Sequence, residues 1–127
     1  MKTTQPFIVF SAFNSESTLE DNVSRHITVR EFLDAEEIKY IEVEGVYKGE
    51  HERSFLVPDT DRARAISENA ARSYGQECIL LVDANKRAEL VYQDGTREQI
   101  GTWRRVRLNE APNSYTIGPR GEKYTCG

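Results

Sequence analysis

The sequence predicts an α+β domain with the split βαβ order of a ferredoxin-like sandwich, βαββαβ, followed by an extra C-terminal β-hairpin. Three observations lead to this prediction: short apolar runs typical of buried strands, apolar residues at helical spacing after the first and third strands, and turn signals between these segments. In such a fold, two helices cover one face of a mainly antiparallel sheet.

The first predicted elements are a strand and a helix. Residues 7–10 are aromatic and β-branched, as residues of buried strands usually are. Ser17 opens a pattern with capping-box spacing, which predicts that a helix begins there. Leu19, Val23 and Ile27 then recur at helical spacing, so we expect this face of the helix to be buried.

The middle of the chain predicts a hairpin, a second helix and a fourth strand. Residues 40–47 alternate between apolar and polar side chains, and residues 53–57 resume an extended pattern after a turn. Residues 59–61 offer caps and negative charge for a helix that ends near Gly75. Residues 78–82 form an apolar run that indicates a buried strand.

The C-terminal part predicts one more hairpin and then little regular structure. Residues 88–92 alternate and lead into a turn signal. A three-residue loop would place Ile100 opposite Ala88 on an apolar face, and is therefore preferred to a two-residue loop. Asn, Pro and Gly residues punctuate the remainder, so the sequence predicts one domain over 1–107 and a loosely structured tail over 108–127.

Length and charge exclude several classes of protein. A chain of 127 residues suits one domain, and it lacks the apolar run of about 20 residues that spans a bilayer. The first residues do not form a signal peptide, so we expect a cytoplasmic location. A net charge of −4 disfavours nucleic-acid binding through bulk electrostatics. Cys78 lies within an apolar run and is expected to be a buried structural thiol.

Motifs for metals and cofactors do not occur in the sequence. The histidines, His26 and His51, lie in different predicted elements without other ligands at metal-binding spacing. His26 falls beside the apolar face of the first helix and is expected to be packed there. Neither a Gly-rich phosphate loop nor a Ser/His/Asp triad can be identified. The sequence therefore predicts no metal and no cofactor, and leaves open whether the protein is an enzyme.

Polar residues are predicted to gather near the ends of the strands, where binding residues concentrate on rigid scaffolds. Asn14 follows the first strand, and Asn22 and Arg25 are about one turn apart on the first helix. Ser54 enters a central strand, and Gln76 precedes the fourth. The alternative interpretation is that these side chains only cap helices and satisfy backbone hydrogen bonds.

One stretch of the acidic chain is basic and aromatic. Residues 103–107 combine a tryptophan with three arginines. We favour an edge strand whose arginines are solvated, and a nucleic-acid-binding patch is the alternative. RNA recognition through aromatic residues of the central strands is disfavoured, because residues 48–52 do not follow the pattern that this module requires.

Short motifs also carry a family resemblance: residues 7–14, Asn22, residues 52–57 and residues 74–76. They are similar to short bacterial and phage proteins grouped as a domain of unknown function (family three-two-nine-three). The resemblance covers residues 7–92 and departs at Arg53, where that family usually has proline. It implies no activity, but it adds Glu52 to the candidates. The predicted ligand-binding set is then Asn14, Asn22, Arg25, Glu52, Ser54 and Gln76.

Three functions remain open from the sequence. The first is a non-enzymatic binding module of a bacterium or phage, which acts through a protein partner or a small polar ligand. The second is a small enzyme or nucleotide-handling protein that uses the predicted polar set. The third is a nucleic-acid binder that uses residues 103–107, and the oligomeric state is not indicated.

Overall fold

The computed structural model describes residues 5–127, which contain eight strands and two helices. In chain order these are β1 (Phe7–Phe10), α1 (Leu19–Ala35), β2 (Ile41–Tyr47), β3 (Glu50–Pro58), α2 (Asp61–Ser73), β4 (Cys78–Val82), β5 (Arg87–Tyr92), β6 (Arg97–Arg105), β7 (Ser114–Ile117) and β8 (Lys123–Cys126). Within the described residues, neither helix is long and apolar enough to cross a membrane.

The strands form a closed antiparallel barrel in the order β1-β3-β2-β7-β8-β6-β5-β4, in which β4 pairs back onto β1. The first six elements occur in the predicted order, yet the predicted open ferredoxin-like sandwich is wrong. In an open sheet β2 and β4 would be edges with unpaired backbone groups. Here β7 pairs with β2 and β5 pairs with β4, and contacts between β6 and β8 close the ring.

Residues 108–127, which were expected to form a loosely structured tail beyond a domain ending at residue 107, contain two strands of the barrel. β7 pairs with β2 and β8 pairs with β6. Each of these strands has only four residues, and turn-forming residues surround them. Strands this short show too few alternations to stand out from a loop in the sequence.

The β5–β6 hairpin keeps the predicted register only near its turn. Val91 pairs with Arg97, as a three-residue loop requires, but a β-bulge then shifts Ala88 to pair with Gly101. A bulge bends the strand and increases its twist, which helps a sheet to curve into a barrel. Ile100 therefore does not lie directly opposite Ala88.

Alternation along the strands divides the apolar residues between two cores. The inner core fills the barrel and contains Phe7, Val9, Val43, Leu56, Val82, Ala88, Trp103 and Tyr124. The outer core lies between the barrel wall and the helices and includes Ile8, Phe10, Val29, Leu33, Phe55, Val57 and Leu81. Residues two apart on a strand, or paired across neighbouring strands, therefore face the same core.

Helix α1 packs on the barrel through a different face from the one predicted. Its buried residues are Asn22, His26, Val29 and Leu33. Leu19 is instead 71% exposed and Ile27 is 37% exposed. The hydrophobic pattern was misleading because polar residues can be buried when they have partners within the protein. His26 is an example, since its Nε2 lies 2.7 Å from Glu42 Oε1.

Both helices begin at a threonine. The Thr18 hydroxyl accepts a hydrogen bond from the backbone N–H of Asp21, so α1 begins one residue later than the capping box at Ser17 predicted. The Thr60 hydroxyl accepts a hydrogen bond from the backbone N–H of Ala63, so the predicted cap of α2 is confirmed. Such caps satisfy backbone donors that the first helical turn leaves unpaired.

Candidate functional site

The loop after β1 is held in place by the predicted amide side chains. The Asn14 backbone N–H donates to Asn22 Oδ1 at 2.9 Å, and Asn22 Nδ2 donates back to the Asn14 carbonyl at 2.9 Å. Asn14 Nδ2 also donates to the Tyr74 carbonyl at 3.0 Å. Gln76 Nε2 donates to the Phe13 carbonyl. These amides attach the loop both to α1 and to the end of α2.

Arg25 braces the same loop from outside. Its Nη1 donates to Ser17 Oγ at 2.7 Å, and its guanidinium lies 5.7 Å from the centre of the Tyr74 ring. Asn14, Asn22, Arg25 and Gln76 thus come together, and each has a partner within the protein. Direct contact of these four side chains with a ligand stays a prediction.

Glu52 and Ser54 belong to the barrel interior. On β3 they alternate with outer-core residues and share a face with Leu56 of the inner core. Glu52 is paired with Gly45 of β2, and Ser54 is paired with Val43. Ser54 is buried and Glu52 is half-buried, so both side chains line one end of the barrel interior.

Further residues, which sequence reasoning did not assign to a site, surround this pair. Thr116 of β7 is paired with Gly45 from the other side of β2, and Cys78 shares the inner face of β4 with Leu80. Ser11 continues the inner face of β1. We name this region the polar mouth, with members Ser11, Gly45, Glu52, Ser54, Cys78 and Thr116. The alternation of side chains along each strand shows which residues share a face. It could have indicated the polar mouth from the sequence only if the pairing of the strands had been known.

Burial controls the electrostatics of the polar mouth. Desolvation raises the pKa of the Glu52 carboxyl, and hydrogen bonds with Ser11 and Gln76 offset part of this effect. Desolvation also raises the pKa of the Cys78 thiol above 9.0, assisted by the charges of nearby glutamates that include Glu52. Cys78 therefore stays protonated at neutral pH and is a poor nucleophile.

The Glu52 carboxylate lacks a cationic partner among residues 5–127. The ion pairs of the described chain involve other carboxylates: Asp59, Glu36, Glu42, Glu44, Glu89 and Glu110. A carboxylate that is partly removed from water without a counter-charge is costly, and a bound cation would reduce that cost. The polar mouth is thus suited to a cationic ligand.

Two surface cavities lie outside the amide cluster. One of about 380 Å³ is next to Pro6 and Asp59, at the opposite end of β1. The other, of about 130 Å³, lies between α2 and the β4–β5 wall, where Ala71, Ile79 and Val91 line it, and it shares only Cys78 with the polar mouth. Neither cavity is lined by Asn14 or by its hydrogen-bond partners.

The histidines have separate structural environments. His26 is buried and stacks on Phe55 with ring centres 4.2 Å apart, as its predicted packing requires. Its Nδ1 has no hydrogen-bond partner among the described residues. His51 pairs with Glu44 at 3.0 Å on the surface. No group of three or more His, Cys, Asp or Glu side chains within residues 5–127 is arranged to hold a metal ion.

The basic stretch is largely occupied by contacts within the chain. Trp103 lies inside the barrel, Arg104 forms two hydrogen bonds with Glu110 at 2.8 and 2.7 Å, and the Arg105 guanidinium is 5.5 Å from the centre of the Tyr124 ring. The expectation of an edge strand is wrong, because β6 pairs with β5 on one side and β8 on the other.

These features define a small closed barrel with a partly desolvated acidic residue inside one end. The chain belongs to the S-Adenosylmethionine lyase family, whose family model matches residues 8–126. No curated protein matches the sequence. The family match corrects the resemblance to a domain of unknown function. It also contradicts the first functional hypothesis, a non-enzymatic binding module, because the family is named for an enzyme.

Proposed function

We propose that the protein is a lyase that acts on S-adenosylmethionine and breaks a carbon–sulfur bond of the sulfonium without adding water. The observation that carries this proposal is the family match over residues 8–126, which includes all eight strands except the first residue of β1. The match therefore includes every member of the polar mouth.

The charge of the polar mouth supports this substrate. S-Adenosylmethionine carries a sulfonium cation and a primary ammonium group in its amino-acid part. Glu52 offers a half-buried carboxylate without a basic partner within the described residues. A cation bound beside the carboxylate would compensate for the hydration that the carboxylate loses on burial. The attraction between the two charges would also be stronger there than in water, because the dielectric constant is lower. We therefore assign Glu52 to binding and orienting the cationic part of the substrate.

The chemistry makes modest demands on the protein. A sulfonium leaves as a neutral thioether that keeps the electron pair of the broken bond, so its departure requires no general acid. The carbon that it leaves either bonds to the substrate's own carboxylate, which closes a lactone, or forms a double bond as the neighbouring carbon loses a proton to solvent. The protein must mainly hold the reacting conformation and keep water away from the reacting carbon. Asn14, Asn22 and Gln76 serve this task as positioning residues, because they fix the loop that follows β1 beside Glu52.

Mass spectrometry in ¹⁸O-labelled water tests the proposal. With S-adenosylmethionine as substrate, the masses of the first two products should sum to that of the substrate, without incorporation of label. Glu52→Gln should lower kcat/KM by about 100-fold, the scale of losing one important polar contact at a reacting centre. Glu44→Gln, on the outer face of β2 beside His51, is the matched control.

Three outcomes would overturn the proposal. They are a product that carries one added water at the earliest times, transfer of the methyl group to an acceptor, or a Glu52→Gln variant as active as the Glu44→Gln control. Absence of any turnover of S-adenosylmethionine by the folded wild-type protein would also reject it.

The cellular setting and the partner form part of the same proposal. A small polar ligand, S-adenosylmethionine, is proposed as the partner, in place of another protein. Cys78 and Cys126 are both free thiols, which agrees with the reducing conditions of a cytoplasmic location.

A further inference from the structure

A gap in the inner barrel wall lies over Gly45. A methyl group built on this glycine would meet only Ser54 Oγ and the Glu52 carbonyl oxygen within 4 Å among the described residues, both at the ordinary contact distance of 3.7 Å. The backbone of Gly45 does not have a positive φ, so its conformation does not require glycine. A glycine inside a strand without such a requirement often marks a close approach by a ligand.

Two residues that are mostly buried place hydroxyl groups on the same face as Gly45, and these hydroxyl groups make few contacts within the protein. Thr116 is paired with Gly45 across β2 and β7, it is 8% exposed, and its hydroxyl forms no hydrogen bond within residues 5–127. Ser54 is 5% exposed, and its hydroxyl makes only a long contact of 3.3 Å with a carbonyl of its own strand. Among the described residues, His26 Nδ1 is the only fully enclosed side-chain N or O atom without a partner, so the Thr116 hydroxyl is open to solvent and can form a hydrogen bond with a ligand.

The third group at the gap is charged. Glu52 is the residue paired with Gly45 on the other side, so its inward carboxylate and the Thr116 hydroxyl flank the glycine from two neighbouring strands. Two hydroxyl oxygens and one carboxylate on the same face of three neighbouring strands are three acceptors. A primary ammonium has three N–H donors and a positive charge, which matches this set.

We propose that the gap over Gly45, bordered by Ser54, Glu52 and Thr116, binds the primary ammonium of the substrate's amino-acid part. This inference rests on the proposed function and specifies which end of S-adenosylmethionine enters the barrel. According to this inference, Thr116 and Gly45 determine selectivity: they favour nucleosides that carry an amino acid over nucleosides that lack one.

The binding experiment compares three ligands. Calorimetry gives the affinities of S-adenosylhomocysteine and 5′-methylthioadenosine, which lack the reacting sulfonium, and the KM is compared for S-adenosylmethionine because the wild type would turn it over. S-Adenosylmethionine and S-adenosylhomocysteine both carry the ammonium, whereas 5′-methylthioadenosine lacks the amino-acid part. Thr116→Val replaces the hydroxyl by a methyl group of similar size. It should weaken both ammonium-bearing ligands by roughly 10- to 100-fold, as expected for a hydrogen bond to a charged group, and leave 5′-methylthioadenosine unchanged.

Thr125→Val is the matched control. Thr125 is also a buried threonine, but its hydroxyl donates to the Ser114 carbonyl at 2.8 Å. This variant should lower the melting temperature and leave all three affinities unchanged. Thr116→Val should leave the melting temperature unchanged and weaken binding of the ammonium-bearing ligands, because the hydroxyl that it removes has no partner in the unliganded protein.

Gly45→Ala gives a second test that does not depend on the threonine. Its methyl group would occupy the gap at ordinary contact distances, so the protein should fold and lose affinity only for the two ammonium-bearing ligands. Equal affinities in the wild type, Thr116→Val and Gly45→Ala would overturn the inference while leaving the proposed function intact. A wild-type protein that binds neither S-adenosylmethionine nor S-adenosylhomocysteine would overturn both.

Discussion

The side chains of Trp103 and Tyr124 stack inside the barrel, with ring centres 5.2 Å apart and planes inclined by 11°. Trp103 belongs to β6 and Tyr124 to β8, the two strands whose pairing completes the ring of strands. Both rings also pack in the inner core. Large aromatic contacts of this kind contribute strongly to folding, so closure of the barrel is coupled to formation of its core.

Gly101→Ala should weaken this closure. Gly101 has φ +101°, and a Cβ there would lie 2.7 Å from the Gly127 Cα, so backbone would have to move. Gly95 has φ +87°, but a Cβ there meets nothing within 4 Å. We expect Gly101→Ala to lower the free energy of unfolding by about 1–3 kcal/mol more than Gly95→Ala, measured in urea. Equal losses would show that Gly127 does not pack against β6.

Glu52→Gln should stabilise the protein at neutral pH while it impairs activity. Because burial raises the pKa of the folded-state carboxyl above the ordinary 4.5, the charged form is disfavoured in the folded state. The wild type therefore loses stability as the pH rises from 4.5 through the raised pKa. The variant should melt at a higher temperature than the wild type at pH 7 and at a similar temperature near pH 4. A difference independent of pH would contradict this explanation.

Arg104→Met should remove part of the acid sensitivity of folding. Hydrogen bonds with Arg104 lower the pKa of Glu110 from 4.5 to about 2. A depressed folded-state pKa stabilises the protein above pH 4.5, and this contribution is lost as the pH falls to about 2. Melting temperatures of the wild type should fall over that range more steeply than those of Arg104→Met. Glu110→Gln should flatten the curve in the same way, and a steep curve for either variant would exclude this pair as the cause.

Two leucine-to-alanine changes test the orientation of α1. Leu33 is fully buried in the outer core, so Leu33→Ala should cost about 2–5 kcal/mol of unfolding free energy. Leu19 is mostly exposed, so Leu19→Ala should change it by less than about 0.5 kcal/mol. Chemical denaturation distinguishes the two. The reverse ranking would restore the face expected from the hydrophobic spacing.

The sequence predicted the elements whose own residues show a clear pattern. Residues 7–10 and 78–82 are continuous apolar runs, and they form the adjacent strands β1 and β4. The closure of the sheet could not be predicted in this way, because β7 and β8 are short and are stabilised by partners far away in the chain. The same difficulty affected α1, whose buried face includes Asn22 and His26.

The candidate site was predictable to a similar extent. Asn14, Asn22 and Gln76 were recognisable as polar residues near strand ends, and they do come together around one loop. Glu52 entered through a motif resemblance, and its inward direction depends on its pairing with Gly45. Thr116 lies in a strand that the sequence did not predict, so its place beside Gly45 follows from the tertiary structure alone.

The pairing of Gly45 with Thr116 has a kinetic consequence. These residues belong to β2 and β7, so the proposed ammonium subsite does not exist until a late strand in chain order has docked. Pairing of such distant segments is intrinsically slow. A nucleoside that binds there recognises only the completed barrel and stabilises it by mass action. Such a ligand should slow unfolding without hastening the early steps of refolding, and its binding would mark the moment at which the chain finishes folding.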